Sequence, residues 1–331
     1  MYNSATSCVH AVCATIFHLS SMNQPAASDF TTLLASLADD LERQRFPAGA
    51  LYVVATPIGN LADISVRALK VLAIVDAIAC EDTRNTGQLM SRYGLSKPLV
   101  AAHQHNEREV AQKIIARLHN GERVALVSDA GTPAVSDPGA RIVDEVIDAG
   151  LTVIPVAGAS AAMAALSAGG LMNDQFHFVG FLPAKDKQRD VALEALRDSG
   201  STLIFYEAPH RIVDTLDALH RCFGPQRRVV IARELSKLFE QIHRCTVAEA
   251  GDWLREDANR QRGEFVLLVE GSTEAPDDME ASTRLLSILL QECSVSQAAA
   301  LAAKITGMKK NALYSIALAM ANKDADDSSA S

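Results

Sequence analysis

From Leu51 to about Leu171, short apolar runs alternate with stretches whose apolar positions recur at helical spacing. The runs LYVVA, AIAC, PLVAA, RVALVSD and TVIPV read as buried strands. Between and after them, VRALKVLAIV, residues 107–118, residues 140–149 and an Ala-rich stretch from Ser160 read as helices. Such alternation predicts an α/β domain with a largely parallel sheet, placed at 48–171. A second series follows: FHFVGFLP, the charged stretch KDKQRD, TLIFYEA, a helix near 211–222, RVVIARE and EFVLLVEG. It predicts a second α/β domain at 172–271. The polar, turn-forming stretch from Ser272 to Glu280 reads as a linker. Beyond it TRLLSILLQE, SQAAALAAKITG and KKNALYSIALAMA predict three short helices, a small helical module at 281–322. Residues 1–47 are expected to be an extension without a fixed fold, although FTTLLASLADDLERQ suits a helix.

Composition narrows the class. The chain has 331 residues, enough for two cores and an appendix, and with 48% hydrophobic and 21% charged residues it is globular. Cys8, Cys13, Cys80, Cys222, Cys245 and Cys293 lack metal-ligand spacing and read as reduced thiols of a cytoplasmic protein. No metal site is expected. No apolar window is long enough for a membrane span. The first residues lack the basic start of a signal peptide, and Met22 is a plausible true beginning. A net charge of −9 excludes a blanket phosphate-binding surface, so any nucleic acid must be met by a local basic patch.

Several motifs sit where strands end. Thr56-Pro57-Ile58-Gly59-Asn60-Leu61 follows the first strand, where open α/β sheets bind ligands, although Gly and Pro also mark ordinary turns. It is neither a dinucleotide fingerprint nor a Walker loop. Glu81-Asp82-Thr83-Arg84 brings two carboxylates and a guanidinium out of a buried strand; helix capping with a salt bridge competes with chemistry there. The loop from Ser128 to Gly139, SDAGTPAVSDPG, adds little packing and is the strongest functional candidate. Its second half, with Asp137 before Pro138, also suits a helix-capping turn. Gly158-Ala159-Ser160 opens a helix whose N–H groups suit a carboxylate, or serves close packing. Phe205-Tyr206-Glu207-Ala208-Pro209-His210-Arg211 gathers an aromatic, a carboxylate, an imidazole and a guanidinium at a strand end in the second domain. Lys309 and Lys310 beside Tyr314 form the sort of local patch RNA needs, or a solvated helix end.

Taken in order, TPIGNLADIS, EDTRNTGQL, HNE, LVSDAGTPAVSDPG, PVAGASA, FVGFLPAK, FYEAPHR, ARELSK and KKNALY closely resemble the ribosomal RNA small-subunit methyltransferase I family of the tetrapyrrole methylase superfamily, from about Leu51 to Ala321. The resemblance implies two α/β domains of tetrapyrrole-methylase type with the cofactor cleft between them, and a homodimer. It implies methyl transfer from S-adenosylmethionine to the 2′-hydroxyl of a cytidine in 16S ribosomal RNA of the small subunit. By similarity the cofactor would contact Pro57, Ile58, Gly131, Thr132, Pro133, Val135, Ser160, Ala161, Tyr206 and Ala208. Two departures stand out. Gly158-Ala159-Ser160 replaces the Gly-Pro-Cys or Gly-Pro-Ser of many relatives. Gly131-Thr132-Pro133 replaces the superfamily's Gly-Asp-Pro, so an aspartate is missing there, with Asp129 an open candidate to stand in for it. A ribose hydroxyl is a poor nucleophile and needs alignment and a proton acceptor. Asp82 and Glu81 are the first candidates for that role, with Arg84 holding RNA or the carboxylate, and His210 a weaker one. RNA contacts are expected at Arg84, His210, Arg211, Lys309 and Lys310. Rival readings are a methylase of a tetrapyrrole-like small molecule and a non-catalytic RNA-binding assembly protein.

Overall fold

The computed structural model describes residues 30–272 and 278–329, so the readings for 1–29, Met22 included, lie outside the described residues. Part of the expected unfolded extension is a helix, α1 (Phe30–Glu42), which buries Leu41 and pairs Glu42 with Lys70.

The first sheet contains β1 (Ala50–Val54), β2 (Ala77–Cys80), β3 (Leu99–Ala101), β4 (Val124–Val127) and β5 (Thr152–Val156). All neighbours are parallel, in the order β3-β2-β4-β1-β5. The connecting helices are α2 (Val66–Ile74), α3 (Thr83–Arg92), α4 (Glu107–His119) and α5 (Ala140–Asp148). Helices cover both faces, which is why β2 and β4 are apolar at every position and buried throughout. Alternate residues serve opposite cores: Tyr52 and Ile78 pack with α2, while Leu51 and Ala79 pack with α4 and α5. From β1 the chain crosses to β2 on one side, and from β4 it crosses to β5 on the other. The carboxyl ends of β1 and β4 therefore flank a topological switch point, where open α/β sheets place ligands.

After α6 (Ala161–Gly169) comes a mixed second sheet of β6 (Phe176–Phe181), β7 (Thr202–Glu207), β8 (Arg228–Arg233), β9 (Gln241–Thr246) and β10 (Phe265–Val269). Its order is β6-β7-β10-β8-β9, with only β6 and β7 parallel. One face is covered by α7 (Asp186–Glu194), α8 (Ile212–Phe223) and α9 (Val247–Glu256). The other face receives α6 itself: Ala162 and Ala165 pack on Ile204, Val230 and Leu268. A Cβ on Gly169 would stand 2.5 Å from Leu268 Cδ1, so the small residues of α6 are what let it lie against this sheet. This seating draws the first sheet's carboxyl edge against the second sheet.

The charged stretch at KDKQRD is the start of α7, with the Arg189 side chain buried and paired with Asp186. The linker expected to reach Glu280 is shorter, because α10 (Asp278–Leu289) begins inside it. With α11 (Val295–Thr306) and α12 (Lys310–Ser329) it encloses a separate core of Leu286, Ala298, Ala299, Ala302, Leu313 and Ala317. The helix α12 runs beyond the expected end at 322.

Candidate functional site

Three loops converge at the switch point, and hydrogen bonds fix them to one another. Thr56 and Gly131 exchange backbone bonds of 2.8 and 3.0 Å. The Thr56 hydroxyl donates to Ser128 O at 3.1 Å, and the Thr132 hydroxyl donates to Ala159 O at 3.0 Å. Gly131 has φ +82, a left-handed conformation that glycine adopts without strain. Gly158 is packed so closely on the first strand that a Cβ there would lie 2.8 Å from that of Ala55. The loop after β4 also holds Ala134 and Ser136 at φ +65 and +63, conformations that cost side-chain-bearing residues energy and concentrate at functional sites.

Between these loops and the second sheet lies a cavity of about 360 Å³. The first domain contributes Ile58, Gly131, Thr132, Val135, Ser160 and Ala161 to it. The second contributes Tyr206, Ala208, Phe181 and Val266. Tyr206 is braced edge-on by Phe178 and Phe181, at 5.1 and 5.6 Å, and its oxygen accepts from the Ala162 amide at 3.3 Å. Burial raises the Tyr206 hydroxyl above its ordinary value, so it stays protonated. Of the residues expected at the cofactor, eight line this cavity. The other two, Pro57 and Pro133, are buried and do not line it.

Three carboxylates border the cavity. Glu207 is buried and engaged by the Thr215 hydroxyl, the Ala208 amide and Arg211. Glu264 pairs with Lys237, which also binds Glu234. Asp137 has no ion pair among the described residues. Burial, with the charges of Glu81 and Asp129, pushes its carboxyl up to about 6; only the Ser128 hydroxyl pulls the other way. Asp137 does not open α5 as a capping turn. Gly139, at φ +129, occupies the N-cap position, and its amide donates to Glu107 at 2.6 Å.

The residues read as catalytic lie on the neighbouring strand end. Asp82 is the N-cap of α3: it accepts from the Arg84 amide at 2.8 Å and pairs with the Arg84 guanidinium at 2.8 Å. Those hydrogen bonds hold its carboxyl down to about 2, which makes it a poor proton acceptor. Capping with a salt bridge therefore accounts for its position. Glu81 is largely exposed, and partial loss of solvent around its carboxyl, with the charges of Asp129 and Asp82, shifts it upward. Asp129 turns toward α3, accepting from the Asp82 amide at 3.2 Å and from Asn85 at 2.7 Å. It lines an open groove of about 820 Å³ with Arg84, Asn85, Gln88 and Arg92, not the cavity.

Arg211, expected at RNA, is instead committed to the fold. It donates to Leu182 O at 2.7 Å and Pro183 O at 3.2 Å and pairs with Glu207. His210, Lys309 and Lys310 are exposed. The sequence reading missed Lys237. Its stem lies against Gly59 across the cleft, and neighbouring Ser236 donates its hydroxyl to Asp63, so the turn after β8 clasps the first loop.

Residues 50–251 match the model of the Tetrapyrrole (Corrin/Porphyrin) Methylases, and residues 275–321 match that of the RsmI C-terminal HTH domain. The ribosomal RNA small subunit methyltransferase I of Pseudomonas aeruginosa is 52% identical over 275 residues, 82% of this chain and 97% of that protein. The chain belongs to the ribosomal RNA small subunit methyltransferase I family. The member from Escherichia coli O157:H7 is 51% identical over 82% of this chain and 95% of its own length. Among solved structures, the methyltransferase CobJ shares the tetrapyrrole methylase fold, with a TM-score of 0.51 over 68% of this chain and 95% of its own, at 18% identity. Four free thiols, Cys80, Cys222, Cys245 and Cys293, and no metal-ligating cluster occur among the described residues. No described helix is long and apolar enough to cross a membrane.

Proposed function

We propose that this protein methylates the ribose 2′-hydroxyl of a cytidine in the 16S ribosomal RNA of the small subunit, using S-adenosylmethionine and acting as a homodimer. The observation that carries the reading is the cavity at the switch point, built from the loops that mark the family and joined to a module that matches the family's own C-terminal domain. The cavity suits the donor. Its size is that of a small-molecule site, and its border has more carboxylates than cations, which favours a sulfonium. The start of α6 at Ser160 and Ala161 offers amides for a carboxylate. Ile58, Gly131, Thr132, Val135, Tyr206 and Ala208 would hold the remainder. When bound, S-adenosylmethionine supplies an electrophilic methyl carbon. The protein's part is to hold the hydroxyl in line, keep water out and take a proton.

The module suits an RNA substrate. The basic patch is local, Lys304, Lys309 and Lys310 around the turn between α11 and α12; over 278–329 as a whole Arg284, Lys323 and these three lysines are balanced by Asp278, Glu280, Glu292, Asp324, Asp326 and Asp327. The groove with Arg84 and Arg92, beside the cavity, offers a path for the strand.

Transfer from labelled S-adenosylmethionine to purified small subunits tests the reading, with the modified nucleotide mapped. Label on a cytidine 2′-oxygen is expected. Cofactor binding without transfer to any RNA would instead favour a tetrapyrrole-like small substrate, and absence of cofactor binding would remove the enzyme reading. The double variant Lys309→Glu/Lys310→Glu should leave cofactor affinity unchanged while weakening subunit binding. Its slope of log affinity against log salt should fall by about 1.4, about 0.7 per lost contact to single-stranded RNA.

A further inference from the structure

We propose that Asp137 is the carboxylate that accepts the proton of the substrate hydroxyl. The proposal rests on the methyl-transfer reading above and deepens it.

Geometry supports it first. Of the carboxylates bordering the cavity, Glu207 is locked by Thr215, Ala208 and Arg211, and Glu264 is neutralised by Lys237. Asp137 alone of the three faces no cation among the described residues. It borders the cavity with Ser160 and Tyr206, the residues at the start of α6 and the end of β7. Its direction is set by the backbone: Ala134 and Ser136, just before it, both hold left-handed φ. Ser136 is seated against the bulge of β6, where a Cβ on Gly180 would come within 2.9 Å of its Oγ. The loop thus meets the second sheet, and strain spent immediately before a half-buried carboxylate is the pattern of a group held for chemistry.

Its surroundings supply the chemistry. The ionisable groups felt at Asp137 are Glu81 and Asp129 from the first-sheet edge, and Asp137 in turn acts on Tyr206. With two anions near and no cation, the carboxylate is more basic than an ordinary one, yet at neutral pH it is still mostly ionised and ready to accept. As the hydroxyl oxygen bonds to the methyl carbon, the carbon–sulfur bond breaks with its electron pair left on sulfur. The hydroxyl proton passes to a carboxylate oxygen of Asp137 and from there to water.

The test uses the full-length protein and its Asp137→Asn and Asp137→Glu variants. Single-turnover transfer to purified subunits is followed against pH, S-adenosylhomocysteine affinity is measured by calorimetry, and the carboxylate is titrated by carbon NMR in the ligand-free protein. Asp137→Asn should lose about a hundredfold or more in rate while S-adenosylhomocysteine affinity is retained. A carboxylate titrating near 6 should vanish from its spectrum. Asp137→Glu should recover part of the rate with a shifted pH profile. Asparagine transferring at nearly the wild-type rate would overturn the proposal. So would loss of S-adenosylhomocysteine binding in both variants, which would make Asp137 a binding residue. Wild-type protein that transfers nothing to the subunit fails the functional reading before either variant is compared, and the proposal with it.

Discussion

Asp82, at the end of β2, and Asp137, in the loop after β4, stand at the same edge of one sheet and differ in nearly everything that governs a carboxylate. Asp82 is surrounded by donors from its own neighbourhood: the amide and guanidinium of Arg84, two residues on, hold its proton affinity down to about 2. Asp137 meets burial and two anions brought from β2 and from the start of its own loop, and is pushed up to about 6. The first is a cap for α3 and the second borders the cavity. Both are aspartates in a segment that leaves a strand of this sheet. What separates them is whether a cation lies beside the group, and that is decided by the fold.

The largest expected effect is the one that would break this contrast outright. With Asp137→Asn down by about a hundredfold or more, Asp82→Asn should fall well short of that loss, because an N-cap contributes structure and not proton transfer. Equal losses in single-turnover rate would mean that the two carboxylates act as one unit. The next effect is on stability, and its sign differs between the two. Asp137 binds its proton more tightly in the folded state, so the folded protein loses stability as pH rises from about 4 through 6. Asp137→Asn should therefore raise Tm at pH 7.5, an advantage that fades as pH falls below 6. Asp82, lowered in the folded state, contributes stability above the ordinary value of 3.8 that is lost as pH falls toward 2. Asp82→Asn should lower Tm at pH 7.5, and the deficit should close at acid pH. Thermal melts across pH 3 to 8 check both directions; a shared sign would refute the assignment of the two environments.

The same contrast shows what could be read before the fold. The parallel first sheet was legible because its inner strands, β1, β2 and β4, are largely buried on both faces and read as unbroken apolar runs. The loop from Ser128 to Gly139 was legible because so many turn formers after a central strand serve little else. β9 was not, since an edge strand reading QIHRCT has polar residues on its open side. α9 carried a signal that went unused: Thr246 and Glu249 form a capping box. At the site, the motifs led to eight residues that line the cavity, but nothing in the sequence set the surroundings of Asp82 and Asp137 apart. Asp137 precedes a proline and looks like a cap, whereas Glu107, more than twenty residues upstream, does that work. The partners of Arg211 were illegible for the same reason: its acceptors, Leu182 and Pro183, come from another strand's end.

Asp129 belongs to both regions, and its substitution gives the smallest and sharpest effect. Its backbone leads into the loop after β4 while its side chain serves α3, through the Asp82 amide and Asn85. Its charge is among the causes raising both Glu81 and Asp137, but for Asp137 it ranks behind burial and Glu81. Asp129→Asn should thus lower the Asp137 midpoint without returning it to 3.8, and slow transfer by less than about tenfold through a weaker base. S-adenosylhomocysteine affinity should not change, since Asp129 faces the groove and not the cavity. A marked loss of affinity would show instead that Asp129 replaces the aspartate missing from Gly131-Thr132-Pro133. The loop after β4 would then serve the cofactor with one carboxylate and the proton with the other.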